Sequence, residues 1–316
     1  MEARQFMKKV SIIGSGSWAL ALTTVFLDKK VTLKYRKNVD KEKFGKKIKF
    51  TKKFENLSES DFIFLAIPSQ SVRQNLIELK QKAKNNNSVF IICCKGVEKK
   101  TCKLMSEVIS DIFPKNRVVI LSGPNFSSEL IAKKPSASVL SALNEKTLKD
   151  VSMLLLQKRL RIYFNNDIIG TQLGGAMKNV IAIACGFIKG KALGENAKAA
   201  IITRGISEIV KLGLNMGAKR KTFYGLSGIG DLTLTCSSLK SRNTKLGYDL
   251  ARGQKIIKLK KYCTLEGVES CESICDLGKK YKVELPLCNS VKKIINGVDS
   301  NVIIEKLLSR PLQFEN

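Results

Sequence analysis

The first half of the chain alternates short β-branched apolar runs with helical stretches, and that rhythm leaves few folds open. Strands are expected over 10–13, 31–35, 61–67, 89–94, 118–121, 136–140 and 161–164, with helices over 19–27, 70–84, 104–113 and 148–156. Strands that alternate with helices are joined by crossovers, which gives a parallel, doubly wound sheet. Near residue 170 the period changes. Helices are expected over 176–189, 196–212, 219–224, 242–252, 268–281, 287–296 and 300–308. The fold class is therefore an α/β N-terminal, Rossmann-like doubly wound sheet plus an all-α C-terminal domain. The expected division is 1–170 for dinucleotide binding and 171–316 for substrate and catalysis.

The first strand runs into Gly14-Ser15-Gly16-Ser17-Trp18-Ala19 and then a helix. A strand-to-helix turn lacking Cβ atoms lets backbone N–H groups approach a pyrophosphate, which then rests on the helix N-terminus. A tight turn alone also explains a G-x-G-x-x-A, but strand context and position favour a dinucleotide site. The second strand ends in Lys34-Tyr35-Arg36-Lys37, where an acidic residue would hold a ribose 2′-hydroxyl. Arg36 or Lys37 can face a 2′-phosphate there, or simply add surface charge.

The chain has 9 cysteines and no histidine. No C-x-x-C pair occurs, so neither a disulfide framework nor a zinc ribbon is indicated, and no metal is expected. Without histidine, a general base must be Lys, Asp, Glu, Cys or Tyr. Lys178 and Asn179 interrupt a run, 172–185, that is apolar on nearly all sides and reads as a buried central helix opening at the Gly174-Gly175 pair. A buried ammonium has its pKa drawn toward neutrality and is suited to exchange a proton with an alcohol. A lysine snorkelling at a helix start is the structural alternative.

Three glycines over 225–230 force a loop that ends at Asp231. Asp231 can hold Lys178 by a charge-assisted hydrogen bond or cap a helix. Arg242 and Asn243 follow, with donors matched to a phosphate. Lys95, in Cys94-Lys95-Gly96 at a strand's carboxyl end, and the segment 122–126 line the crevice where open α/β sheets bind ligands.

The net charge is +29. Its densest run, 41–53, holds 7 lysines without an aromatic-stacking or base-reading motif, and the rest are scattered. That pattern is a solvated surface rather than a nucleic-acid site. The N-terminus lacks a signal-peptide core, and no uncharged apolar stretch of membrane-spanning length occurs. Reduced thiols point to the cytoplasm.

Together these segments resemble the bacterial glycerol-3-phosphate dehydrogenase family: G-S-G-S-W at 14–18, A-I-P-S at 66–69, C-K-G at 94–96, S-G-P-N-F at 122–126, Q-L-G-G-A-M-K-N-V at 172–180, T-R-G at 203–205, G-x-G-D-L-x-L-T-C at 228–236, S-R-N at 241–243 and E-G at 266–267. The resemblance implies that NAD or NADP is bound by Gly14, Gly16, Ser17, Trp18, Arg36, Lys95, Ser127, Arg242, Thr264 and Glu266. It implies a substrate site of Lys95, Gly123, Asn125, Lys178, Asn179, Asp231, Thr235, Ser241, Arg242 and Asn243, with Lys178 the proton acceptor and Asp231 its partner. It further implies hydride transfer between glycerol 3-phosphate and dihydroxyacetone phosphate, a cytoplasmic homodimer, and supply of glycerol 3-phosphate to phospholipid synthesis. The sequence departs from the family pattern at Ala19, where Gly is usual, at Asn125 for Thr or Ser, at Ser127 for Ala, and in the short, Lys-rich stretch 38–53. A 3-hydroxyacid or 6-phosphogluconate dehydrogenase of similar plan is the nearest alternative, and Ser241-Arg242-Asn243 argues against it. A basic nucleic-acid-binding protein with a vestigial dinucleotide fold is the alternative from another class.

Overall fold

A computed structural model describes residues 8–298 apart from 27–28, 37–38, 45–46, 84–86, 156–157 and 258–265. The expected helix at 300–308 lies outside the described residues, as do Lys37 and Thr264.

Eight strands form one sheet: β1 (Val10–Ile13), β2 (Val31–Lys34), β3 (Ile48–Thr51), β4 (Phe62–Leu65), β5 (Val89–Ile92), β6 (Val118–Ser122), β7 (Ser136–Ser141) and β8 (Leu160–Asn165). Their order is β3-β2-β1-β4-β5-β6-β7-β8. Between them lie α1 (Ser17–Val25), α2 (Val72–Lys82), α3 (Met105–Ile112), α4 (Ser127–Ile131) and α5 (Glu145–Leu154). Alternate strand residues point to opposite faces. Val10, Ile12, Phe62, Phe64, Val89 and Ile91 therefore pack with α1, α4 and α5 in one apolar cluster. Ile13, Ile63, Leu65, Phe90 and Ile92 pack with α2 and α3 in another. Burial on both faces accounts for strands that are apolar at every position.

Two features differ from the sequence expectation. β3 lies inside the lysine-rich run, where Ile48 and Phe50 alternate with lysines and pair with Val31 and Leu33 of β2. The strands are also not all parallel: β7 pairs with β6 antiparallel and with β8 parallel. The link from β6 to β7 holds only the short α4, which does not carry the chain back along the sheet, so β7 returns in the opposite direction.

Beyond the sheet come α6 (Ile168–Gly190), α7 (Gly194–Asn215), α8 (Arg220–Phe223), a π-helical turn (Leu226–Gly230), α9 (Asp231–Ser237), α10 (Arg242–Ala251), α11 (Glu266–Lys280) and α12 (Pro286–Ile295). α6 is long and apolar enough to cross a membrane by length and composition, but 89 % of that apolar stretch is buried inside the protein. It is the axis of the helical core, packed against α7, α9, α10, α11 and α12.

The sequence expectation opened this helix at Gly174-Gly175, with Lys178 near its start. α6 instead begins at Ile168, capped by Asp167, whose side chain accepts the Gly170 N–H. Lys178 lies well inside it. The glycine pair serves close packing: a Cβ at Gly174 would sit 2.8 Å from the Ser227 carbonyl oxygen, and one at Gly175 would press on the Lys95 side chain at 3.3 Å. Gly186 and Gly247 act likewise, since a Cβ at either would come within 2 Å of a backbone oxygen on the facing helix. They bring α10, with Arg242 at its start, directly onto α6.

Candidate active site

The sheet changes direction of growth at β1 and β4, and the turns after these strands bound a cleft of about 550 Å³. Gly14 forms the pinch. Its φ is +124° and a Cβ there would lie 2.2 Å from the Ala66 carbonyl oxygen. Gly16 precedes α1, carries no side-chain cap, and a Cβ on it would meet nothing within 4 Å. The first N–H groups of α1 therefore face open space, the arrangement that takes an anion.

Of the expected cofactor residues, Gly14, Gly16, Ser17, Trp18, Arg36, Lys95, Ser127, Arg242 and Glu266 all line this one cleft. Arg36 and Arg242 are exposed within it. The Glu266 carboxylate accepts the Ser69 backbone N–H at 3.0 Å and its hydroxyl at 2.6 Å. Burial raises the Glu266 pKa, and those two hydrogen bonds act against the rise. Gly96 leaves room for this link, because a Cβ there would lie 2.3 Å from Ser69 Oγ.

The residues expected to bind substrate gather around Lys178 and Asp231. Lys178 is 8 % exposed. Its Nζ donates to Asp231 Oδ1 at 2.6 Å and to Thr235 Oγ1 at 2.8 Å. Asp231, 1 % exposed, is the first residue of α9 and makes no capping bond. Its second oxygen accepts from Lys95 Nζ at 2.5 Å. Lys95 also donates to the Gly123 carbonyl oxygen at 3.1 Å. One buried carboxylate thus bridges two lysines from different halves of the fold. Asp231 and Gly123 stand behind the cleft wall, while Lys95, Lys178 and Thr235 reach it. Burial lowers the Lys178 pKa to about 8, with the Asp231 charge opposing that shift and the Lys95 charge adding to it.

Asn179 donates to the Lys95 carbonyl oxygen at 3.3 Å. Ser241 caps α10 by accepting the Thr244 N–H. Asn243 accepts the Gly267 N–H at 3.1 Å, tying α10 to α11. Asn125 spends its amide N–H groups on the Ala137 carbonyl and Ser138 Oγ, at 2.8 and 3.0 Å. A carbonyl can only accept, so the amide orientation is fixed. Its Oδ1 is left buried without a donor among the described residues.

Open helix amides at one end and two lysines bridged by one buried carboxylate at the other fit a dinucleotide with a small hydroxylated substrate. Three contributions were absent from the sequence reading: the Lys95–Asp231 bridge, the Ser69–Glu266 link, and Lys34, a buried cleft-wall lysine. Each joins segments far apart in the chain or hides in a strand, and no local motif marks it.

A switch-point cleft under a glycine turn, faced by a buried lysine on a helical domain, defines the class: a Rossmann-type, dinucleotide-dependent dehydrogenase. Residues 9–148 match the family model described as the N-terminus of NAD-dependent glycerol-3-phosphate dehydrogenase, and residues 167–304 match its C-terminus. A glycerol-3-phosphate dehydrogenase [NAD(P)+] of Zymomonas mobilis is 38 % identical over 97 % of this chain and 94 % of its own length. One of Streptomyces griseus is 37 % identical over 96 % of each chain. The crystal structure of glycerol-3-phosphate dehydrogenase from Coxiella burnetii superposes with a TM-score of 0.90 at 30 % identity, covering 96 % of this chain and 100 % of the other. The chain belongs to the NAD-dependent glycerol-3-phosphate dehydrogenase family.

Proposed function

We propose that this enzyme interconverts sn-glycerol 3-phosphate and dihydroxyacetone phosphate, with Lys178 moving the proton at the C2 oxygen. The observation that carries the reading is the buried Lys178–Asp231–Lys95 bridge at the cleft wall. When bound, the dinucleotide supplies or accepts the hydride at C2. Neutral Lys178 takes the hydroxyl proton as the alcohol is oxidised, and its ammonium returns that proton to the ketone oxygen in reduction. A pKa of about 8 leaves both forms populated near neutral pH, as two-way proton transfer requires.

Asp231 and Thr235 hold Lys178 in one rotamer. Asp231 also keeps the Lys95 ammonium beside the developing charge on the C2 oxygen. Asn125 lines the same cleft and belongs to the expected substrate set. Arg242, Ser241 and Asn243, at the start of α10, bind the phosphate, and that binding energy positions C2. Thr264 belongs to the same expected cofactor set. The family resemblance supports a cytoplasmic homodimer that supplies glycerol 3-phosphate for phospholipid synthesis.

The test follows loss of NADPH and NADH absorbance with dihydroxyacetone phosphate. A saturable, substrate-dependent rate is expected. No rate, together with cofactor reduction by 6-phosphogluconate or a 3-hydroxy acid, overturns the substrate assignment.

A further inference from the structure

Contacts cross from the sheet to the helical half on two sides of the cleft. Deep in it, and along its β4–β5 side, they are shielded from water. Asp231, 1 % exposed, takes the Lys95 ammonium, and the part-buried Glu266 takes the Ser69 N–H and hydroxyl. On the α4 side the crossing is open to water. Lys240 Nζ lies 3.1 Å from Glu129 Oε1, and the two side chains are 61 % and 34 % exposed.

Each partner sits on an element that shapes the cleft. Glu129 belongs to α4, which packs on α1, the helix whose first N–H groups face the cleft. The Lys240 N–H donates to Ser238 Oγ at 3.1 Å, and the Ser241 N–H to the Ser238 carbonyl oxygen at 3.1 Å. That turn delivers Ser241, Arg242 and Asn243 to the cleft, and Lys240 lines it beside them. Phe126 and Ser127 line it from the α4 side, whereas Glu129 stands outside the lining. The ion pair therefore joins, at the rim, the start of α10 to the wall that carries the glycine turn. We propose that Lys240 and Glu129 are positioning residues that latch this rim over the bound dinucleotide, so that opening of the pair sets how fast the dinucleotide leaves. This rests on the dehydrogenase reading above and deepens it. An ion pair so exposed is weak and screened by salt, which suits a latch that must open in every turnover.

Trp18 is the chain's single tryptophan and lines the cleft, so energy transfer from it reports reduced nicotinamide bound there. Stopped-flow displacement from the full chain by excess oxidised cofactor gives the dissociation rate of NADPH or NADH, whichever the wild type binds more tightly. Lys240→Met and Glu129→Gln should each speed release about two- to fivefold, and the double substitution no further. Added salt should narrow the gap between wild type and Lys240→Met. Lys240→Glu, which sets two carboxylates face to face, should release at least as fast as Lys240→Met. Adding Glu129→Lys to it should bring the rate back to within about twofold of wild type. Unchanged release in both single variants overturns the proposal, as do single effects that simply add. So does a swapped pair that releases as fast as Lys240→Glu alone, because Lys240 would then act on the phosphates of the ligand itself. Release that follows the pair without any ketone-dependent oxidation of the cofactor leaves the latch standing and overturns the substrate assignment instead.

Discussion

Replacing Asp231 with Asn keeps the shape of the side chain and removes the single carboxylate between two lysines. Its oxygens lie 2.6 Å from Lys178 Nζ and 2.5 Å from Lys95 Nζ. Two unit charges 4 Å apart interact by about 4 kcal/mol at an effective dielectric constant of about 20. Each ~1.36 kcal/mol moves a pKa by one unit. Loss of the carboxylate should therefore take the Lys178 pKa roughly two to three units below that of the wild type. Two uncompensated ammoniums do not then unfold the protein, because Lys178 sheds its proton first. The variant should stay folded near neutral pH at a cost of about 1–3 kcal/mol, while ketone reduction loses its proton donor. At pH 7 the reduction kcat should fall by about 10²–10⁴-fold and recover partly in acid. The assay is kcat against pH in the direction of reduction for both proteins. A variant whose profile keeps the wild-type midpoint, or whose neutral kcat lies within about twofold of wild type, refutes the argument that Asp231 sets the Lys178 proton.

Three further outcomes are expected. Because the lowered pKa of Lys178 is about 8, wild-type reduction, which needs the ammonium, should decline as pH rises through about 8, and oxidation, which needs the amine, should rise over the same range; two profiles of the same sense contradict this. Arg242→Gln should lower kcat/KM for dihydroxyacetone phosphate by about ten- to a hundredfold and leave the weak use of unphosphorylated dihydroxyacetone nearly unchanged, whereas equal losses would place the phosphate elsewhere. Gly247→Ala puts a Cβ 1.9 Å from the Ile183 carbonyl oxygen, so it should lower stability by about 1–3 kcal/mol or more in denaturant unfolding, and an unchanged midpoint would show that α10 has slack.

Residues set apart by their local sequence were legible. The Gly14–Gly16 turn declared itself by strand context. Lys178 stood out as a cation in an apolar helix, and Asp231 as the end of a glycine loop. What the sequence hid was set by distance along the chain. The second partner of Asp231, Lys95, is separated from it along the chain by three strands and by α6, α7 and α8. The start of α6 was misplaced because glycines were read as a helix boundary, when a facing backbone requires them. β3 went unread because its apolar residues are interleaved with lysines, and the reversal of β7 depends on a connection too short to cross the sheet. Lys34 was read only as part of the second strand, among 56 basic residues, and its burial sets it apart.

The central claim is that Lys178 carries the proton, and its most direct test is kcat for dihydroxyacetone phosphate reduction by Lys178→Met, measured beside cofactor affinity. The side chain reaches the cleft wall near the residues expected to bind substrate, so the dinucleotide should bind to the variant nearly as it does to the wild type. Its kcat should fall by about 10²–10⁴-fold. A variant that keeps more than about half of the wild-type kcat contradicts the account, because a proton source it retains would then be serving the reaction.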